Sequence, residues 1–215
     1  MSLEVVGAWG PAMQRVWLLD LDNTLHDATR IVFPRIHRAM NDYVARTLSL
    51  PPEAASALRE HYWRRYGATL LGMVRHHGVD AHEFLRQTHP FPDLERIVGL
   101  DRRLAAALGR LRGRRVVVTN SPRHYALRVV RALGIAAHID TIVTVESMRF
   151  AGRWQPKPSR PMFRRLAARL RVPAQRCVLV EDSLENLQGA RAVRMRTVLV
   201  TGIGRGHRQE DRRRT

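Results

Sequence analysis

The sequence predicts an α/β protein, a five-stranded parallel doubly wound (Rossmann-like) sheet with an all-helical cap inserted after the first strand. Three observations lead there. Residues 16–20 form a short apolar run of the kind that makes a buried parallel strand. From residue 99 onward apolar strands and amphipathic helices alternate, the pattern of a parallel sheet with helices on both faces. Between Thr24 and about Pro92 helix follows helix with no β run between them.

Taken in order, the strand at 16–20 leads into helical segments near 33–48, 53–66, 68–77 and 81–88. Pro51-Pro52, Gly67 and Gly78-Val79-Asp80 separate them. A helix follows at Leu100–Leu111, then a strand over Arg115–Thr119 and a helix over Tyr125–Leu133 that Gly134 ends. Thr141–Val145 is a short strand. The helix at Arg160–Leu170 carries Pro161 in its first turn, where a missing N–H costs nothing. Arg176–Glu181, Leu184–Val193 and Thr197–Thr201 complete the series as strand, helix and strand. The expected division is a catalytic core over 1–25 and 93–203, a cap over 26–92, and a basic, disordered tail over 204–215.

Composition narrows the function classes. The 215 residues hold a single cysteine, Cys177, which excludes internal disulfides and a multi-cysteine metal site. Its place in an apolar strand reads as a buried structural thiol. No window approaches 18 apolar residues, so no membrane span is expected. The N-terminus lacks the pattern of a secretory signal, which makes the cytoplasm the expected location.

A net charge of +18 raises nucleic acid as a partner. The charge is scattered in pairs such as Arg64-Arg65, Arg102-Arg103 and Arg164-Arg165, and the aromatics are not interleaved with it. A solvated arginine-rich surface that binds polyanions only non-specifically fits better. The expected oligomeric state is a monomer or homodimer.

Four polar signals fall at the C-terminal ends of strands, the edge of an α/β sheet where ligands bind. Asp20 ends the first strand, and Asp22 follows after the turn. Thr119-Asn120 ends the second. Lys157 lies in the loop after the third, and Glu181-Asp182 ends the fourth. Each alone has a structural reading: an Asp-Asn turn, a helix cap at Thr119, or a turn at Glu181-Asp182 with Ser183 as N-cap. Lys157 is the one lysine among 37 basic residues. A compact ammonium approaches a phosphate as a point charge, which the planar arginine fork does not. Together the four signals gather acids, a hydroxyl and an ammonium at one edge. Two acids as close as Asp20 and Asp22 favour a bound cation such as Mg²⁺.

On these residues the chain resembles the haloacid dehalogenase superfamily of phosphohydrolases over nearly all of residues 15–203. Asp20-Leu-Asp22-Asn-Thr24 is similar to its first motif, Thr119 to its second, Lys157 to its third and Glu181-Asp182-Ser-Leu-Glu-Asn186 to its acidic fourth. The helical insertion stands where that superfamily has its cap. The resemblance and the residue chemistry imply one mechanism. Asp20 attacks phosphorus to form an aspartyl-phosphate. Asp22 protonates the leaving alkoxide and then deprotonates water. Mg²⁺, held by Asp20, the Asp22 carbonyl and Asp182, offsets a repulsion of about 4 kcal/mol between unit charges at about 4 Å. Lys157 and the Thr119 hydroxyl hold the phosphoryl oxygens. Glu181 and Asn186 support the metal from behind. The superfamily's dehalogenases lack the second acid, so Asp22 points to phosphoester chemistry.

The cap stretch Tyr62–Met73 with Arg75–Asp80, followed by Thr119–His124 and Leu133-Gly-Ile135, resembles pyrimidine 5′-nucleotidases, which release phosphate from UMP and CMP. Tyr62, Tyr66, Leu70 and Met73 recur every three or four residues, the spacing of a packed helix face. Tyr66 and Thr69, beside the Gly67 break, are better placed to face the site, and Asn120 is a further expected substrate contact. His76 and His77 read as surface or hydrogen-bonding histidines, and His124 as a neighbour of the site. The alternatives are a sugar-phosphate or phosphoglycolate phosphatase, a phosphomutase of the same design, or, from another class, a basic nucleic-acid-binding protein.

Overall fold

In the computed structural model, residues 15–201 and 203 are described. The tail expected over 204–215 lies outside them, as do residues 1–14 of the expected core. β1 (Val16–Leu19) is followed by α1 (Val32–Leu48), α2 (Pro52–Tyr66), α3 (Thr69–His77), α4 (Ala81–Thr88), α5 (Leu94–Val98) and α6 (Arg102–Arg110). Then come β2 (Arg114–Val118), α7 (Arg123–Ala132), β3 (Thr141–Val143) and a small hairpin of β4 (Arg149–Phe150) and β5 (Arg153–Trp154). α8 (Arg160–Arg169), β6 (Cys177–Glu181), α9 (Leu184–Arg191) and β7 (Arg196–Leu199) complete the chain.

The sheet runs β3-β2-β1-β6-β7 with every pairing parallel. β1 is central because its residues are apolar on both faces: Val16 and Leu18 point to one helical layer, Leu19 to the other. Met162, Phe163 and Leu166 of α8 and Leu187 and Ala190 of α9 cover the first face. Tyr125, Ala126 and Val129 of α7, with Leu94 and Leu108, cover the second. The helices α1 to α4 share a third apolar core, in which Tyr43, Tyr62, Met73 and Phe84 are buried.

Several boundaries sit a residue or two from the sequence expectation, and caps explain some of them. The helix expected from Leu100 begins at Arg102 because Asp101 accepts from Leu104 N at 2.9 Å and caps it. The helix expected from Arg160 starts there, with Ser159 accepting from Met162 N. The short helix α5 goes beyond the sequence expectation, since five residues cannot display a period. Among the described residues no helix is long and apolar enough to cross a membrane.

Candidate active site

β1 delivers Asp20 to the C-terminal edge of the sheet, its backbone N–H donating to Val180 O at 3.0 Å. The chain then turns sharply. Asn23 adopts a left-handed φ of 63°, and its side-chain oxygen accepts from Ala28 N and Thr29 Oγ1, each at 3.0 Å. That turn fixes Asp22 beside the sheet edge.

Lys157 is buried there, and its Nζ donates to Asp20 Oδ1 at 2.5 Å and to Glu181 Oε2 at 2.7 Å. A buried ammonium between two carboxylates is stable only because both partners are in contact with it. Burial works against its charge, yet Asp20 and Glu181 outweigh that and move its titration above the ordinary lysine range. Asp20 is pushed up to about 7, first by burial, with the Lys157 charge opposing and the Glu181 charge adding. Glu181 goes the other way. Burial would raise it, but Lys157 and the Asp182 and Ser183 groups hold it below the usual range.

The loop bearing Lys157 is held at both ends of its peptide. Asn120 Nδ2 donates to Lys157 O at 3.0 Å, and Lys157 N donates to Asn120 Oδ1 at 2.9 Å. From below, α9 presses on the same loop at Gly189, where a Cβ would stand 2.3 Å from Pro158 O. Only a residue without a side chain fits this approach.

Asp22 accepts from Ser121 Oγ and Tyr125 Oη, each at 2.6 Å, and from His26 Nε2 at 2.9 Å. Burial would raise its carboxyl, but His26, then Ser121 and Tyr125, more than offset this and keep it below its ordinary value. Thr119 is buried next to the site, with Oγ1 accepting from Ser121 N at 3.0 Å, which leaves its own O–H able to donate.

Asp20, Glu181 and Asp182 each offer a carboxylate oxygen, all within 4.8 Å of one another. Hard oxygen donors from three acids suit a divalent cation such as Mg²⁺. Both Glu181 oxygens already accept, Oε2 from Lys157 and Oε1 from the Asp182 and Ser183 N–H groups at 3.2 Å.

The acids, Lys157, Thr119 and Ser121 open into one cavity of about 730 Å³ between the sheet edge and helices α1 to α4. Asp20, Asp22, Thr119, Asn120, Lys157, Glu181, Asp182 and Asn186 line its floor. α1 contributes Phe33, Ile36, His37 and Met40, and α2 contributes Arg59, Glu60, Trp63 and Arg64, each set recurring at helical spacing.

One cap expectation changes. Tyr66 does not line this cavity: its hydroxyl shares a 2.6 Å hydrogen bond with His76 Nε2, and Arg75 lies over its ring. Gly67, at φ 78°, reverses the chain, so Gly67, Ala68 and Thr69 run along the cavity wall while Tyr66 turns towards α3. Thr69 does line it, but its hydroxyl donates to Arg59 O at 3.2 Å. Asn120 likewise reaches the cavity with its amide engaged on the Lys157 backbone. His77 pairs with the Tyr62 hydroxyl, and His124 packs against His89, which itself borders the site.

Arg59, Trp63, Ser121, His26 and Tyr125 are additions that the sequence reading did not single out. Arg59 falls between Ala55 and Tyr62 on the buried face of α2, and a charged residue at such a position is a signal that could have found it.

A family model described as haloacid dehalogenase-like hydrolase matches residues 15–194. Phosphate metabolism protein 8 from Saccharomyces cerevisiae is 24% identical over 141 residues, 60% of this chain. The chain spans 43% of that relative's length. Among solved structures, CbbY from Rhodobacter sphaeroides in complex with phosphate matches at 22% identity and a TM-score of 0.61, over 91% of this chain and 89% of that one. L-2-haloacid dehalogenase from Xanthobacter autotrophicus, with chloropropionic acid covalently bound, matches at 16% and 0.55, over 87% and 78%. At such identities these structures show a shared fold.

Proposed function

The chain belongs to the haloacid dehalogenase-like hydrolases, and on that footing we propose that it is a Mg²⁺-dependent phosphomonoester hydrolase acting on pyrimidine nucleoside monophosphates. One observation carries the chemistry: the Lys157 ammonium bridges Asp20 and Glu181 beside an acidic cluster at the floor of a cavity.

In this reading an Asp20 oxygen attacks phosphorus, the bond from phosphorus to the leaving oxygen breaks, and Asp22, which takes up a proton when the anionic substrate settles beside it, gives that oxygen its proton. Water then attacks the aspartyl-phosphate, loses its proton to Asp22, and phosphate departs with Asp20 restored. Lys157 and the Thr119 hydroxyl bear on the phosphoryl oxygens, where negative charge is greatest. Asp20, the Asp22 carbonyl and Asp182 would hold Mg²⁺, which when bound offsets the repulsion between carboxylate and phosphate. Glu181, its oxygens occupied, holds Lys157 in place, and Asn186 supports the cluster from the first turn of α9.

The aromatic and apolar cap wall, with Phe33, Met40 and an exposed Trp63, supports a flat leaving group. A sugar-phosphate substrate would use the same floor, but it offers no planar face to that wall. Phosphate release from CMP, UMP, AMP and sugar phosphates, with Mg²⁺ and with EDTA, tests the proposal. The expected result is metal-dependent turnover with the pyrimidine nucleotides ranked first by kcat/KM. Comparable values for all four classes would leave only a general phosphatase.

A further inference from the structure

Arg59 and Glu60 stand side by side on the cavity wall, one rich in donors and the other purely an acceptor. Arg59 is well covered and firmly held. Its Nε donates to Asn41 Oδ1 on α1 at 2.7 Å, and its carbonyl accepts from Thr69 on α3. Nη2 donates to Glu60 Oε1 across a long 3.5 Å contact, so Nη1 and the second Nη2 proton form the edge left for a ligand. Arg64 Nη2 donates to Glu60 Oε2 at 3.3 Å, so each Glu60 oxygen accepts from one arginine and keeps a lone pair for a ligand donor. The row therefore reads donor, donor, acceptor along α2, while α1 supplies Phe33, Ile36 and Met40 to the same cavity.

We infer that Arg59 and Glu60 read the hydrogen-bonding edge of the leaving group and select cytosine over uracil. This rests on the nucleotidase reading above and deepens it. Cytosine presents O2 and N3 as adjacent acceptors and the 4-amino group as a donor, the complement of that row. Uracil sets its N3–H against a guanidinium donor and its O4 against the Glu60 carboxylate. Like groups facing each other in a partly dry cavity cost more than an absent contact. Thr69, whose hydroxyl meets Arg59 O, acts here as a positioning residue, as does Asn41.

The test compares kcat/KM for CMP and UMP in the full chain with Mg²⁺. Each value is divided by the same variant's value for p-nitrophenyl phosphate, so that a general loss of activity cancels. Wild type should favour CMP by about tenfold or more, the scale of one misplaced hydrogen bond. Glu60→Gln, whose amide can donate to O4, should move the ratio towards UMP by about tenfold. Arg59→Met should bring the ratio close to unity. If that variant does not fold, Glu60→Gln carries the test alone, since the Glu60 side chain is only half-buried and the amide keeps its size. A wild type that prefers UMP, or a ratio unmoved by Glu60→Gln while both nucleotides turn over, overturns base selection and leaves the nucleotidase reading standing. Turnover of p-nitrophenyl phosphate with neither nucleotide accepted overturns both.

Discussion

The phenol of Tyr125 donates a 2.6 Å hydrogen bond to Asp22 Oδ1, joining residues 103 positions apart. α7 thereby reaches across the sheet edge and fixes one oxygen of the proposed acid–base residue, while Ser121 fixes the other. Tyr125→Phe removes one donor and little volume. The expected outcome is a fall in kcat of roughly five- to tenfold with KM unchanged. The acid limb of the pH profile should move to higher pH, because Asp22 loses a group that favours its ionised form. Steady-state kinetics across pH checks this, and superimposable profiles would deny Tyr125 the positioning role.

Asp22→Asn keeps the size of the side chain and ends its proton transfer. Steady turnover of an alkyl phosphate should fall by about 10²- to 10⁴-fold with the fold intact by circular dichroism. With p-nitrophenyl phosphate, whose leaving group needs no proton, phosphorylated Asp20 should accumulate in a rapid-quench mass spectrum, because its hydrolysis still needs the missing base. Near-normal turnover would remove Asp22 from acid–base work.

Lys157→Met leaves Asp20 and Glu181 buried without their shared cation. Unfolding in urea at pH 8 should become easier by about 3–5 kcal/mol, the usual cost of stranding a buried charge. Added Mg²⁺ should recover part of that loss, since a cation among Asp20, Glu181 and Asp182 neutralises the same carboxylates. A midpoint equal to wild type would mean that the contact contributes nothing to stability.

The sheet edge was legible in the sequence because its chemistry is written in scarce residues. Asp20 and Glu181 stand at strand ends that parallel topology brings together, and Lys157 lies in the loop between the third strand and its helix. The cap was harder to read. Tyr66 and Thr69 flank the same break, yet the turn at Gly67 sends one towards α3 and the other to the cavity wall. Such an outcome depends on how α1, α2 and α3 pack on one another, which periodicity within each helix does not encode. The partners of Asp22 were hidden for a related reason. Tyr125 sits among the apolar residues of α7, where a core role accounts for it fully until its hydroxyl is seen to reach Asp22.

His89 is buried, and burial holds its imidazole down to about 4. The folded state therefore keeps it neutral where an unfolded chain, with an ordinary value of 6.5, takes up a proton. This contribution to stability is complete above about 6.5 and is lost progressively as pH falls towards 4, by up to about 1.4 kcal/mol per pH unit. His89→Asn retains a donor for Leu85 O and removes the titration. Urea midpoints at pH 7 and pH 5 should differ less for the variant than for wild type. An equal difference in both would assign the acid sensitivity to other groups.

The contact between Gly189 and Pro158 ties the ammonium-bearing loop to the helix that springs from the acidic turn. In the proposed reading, anion and cation recognition therefore share one rigid mount, and neither can drift to suit an ill-fitting guest. A single added methyl, as in Gly189→Ala, should therefore weaken phosphate inhibition and Mg²⁺ activation together, readable as parallel rises in both half-saturation concentrations. On that reading, adaptation to different alcohols falls to the helical roof, which can be rewritten while the floor beneath it stays the same.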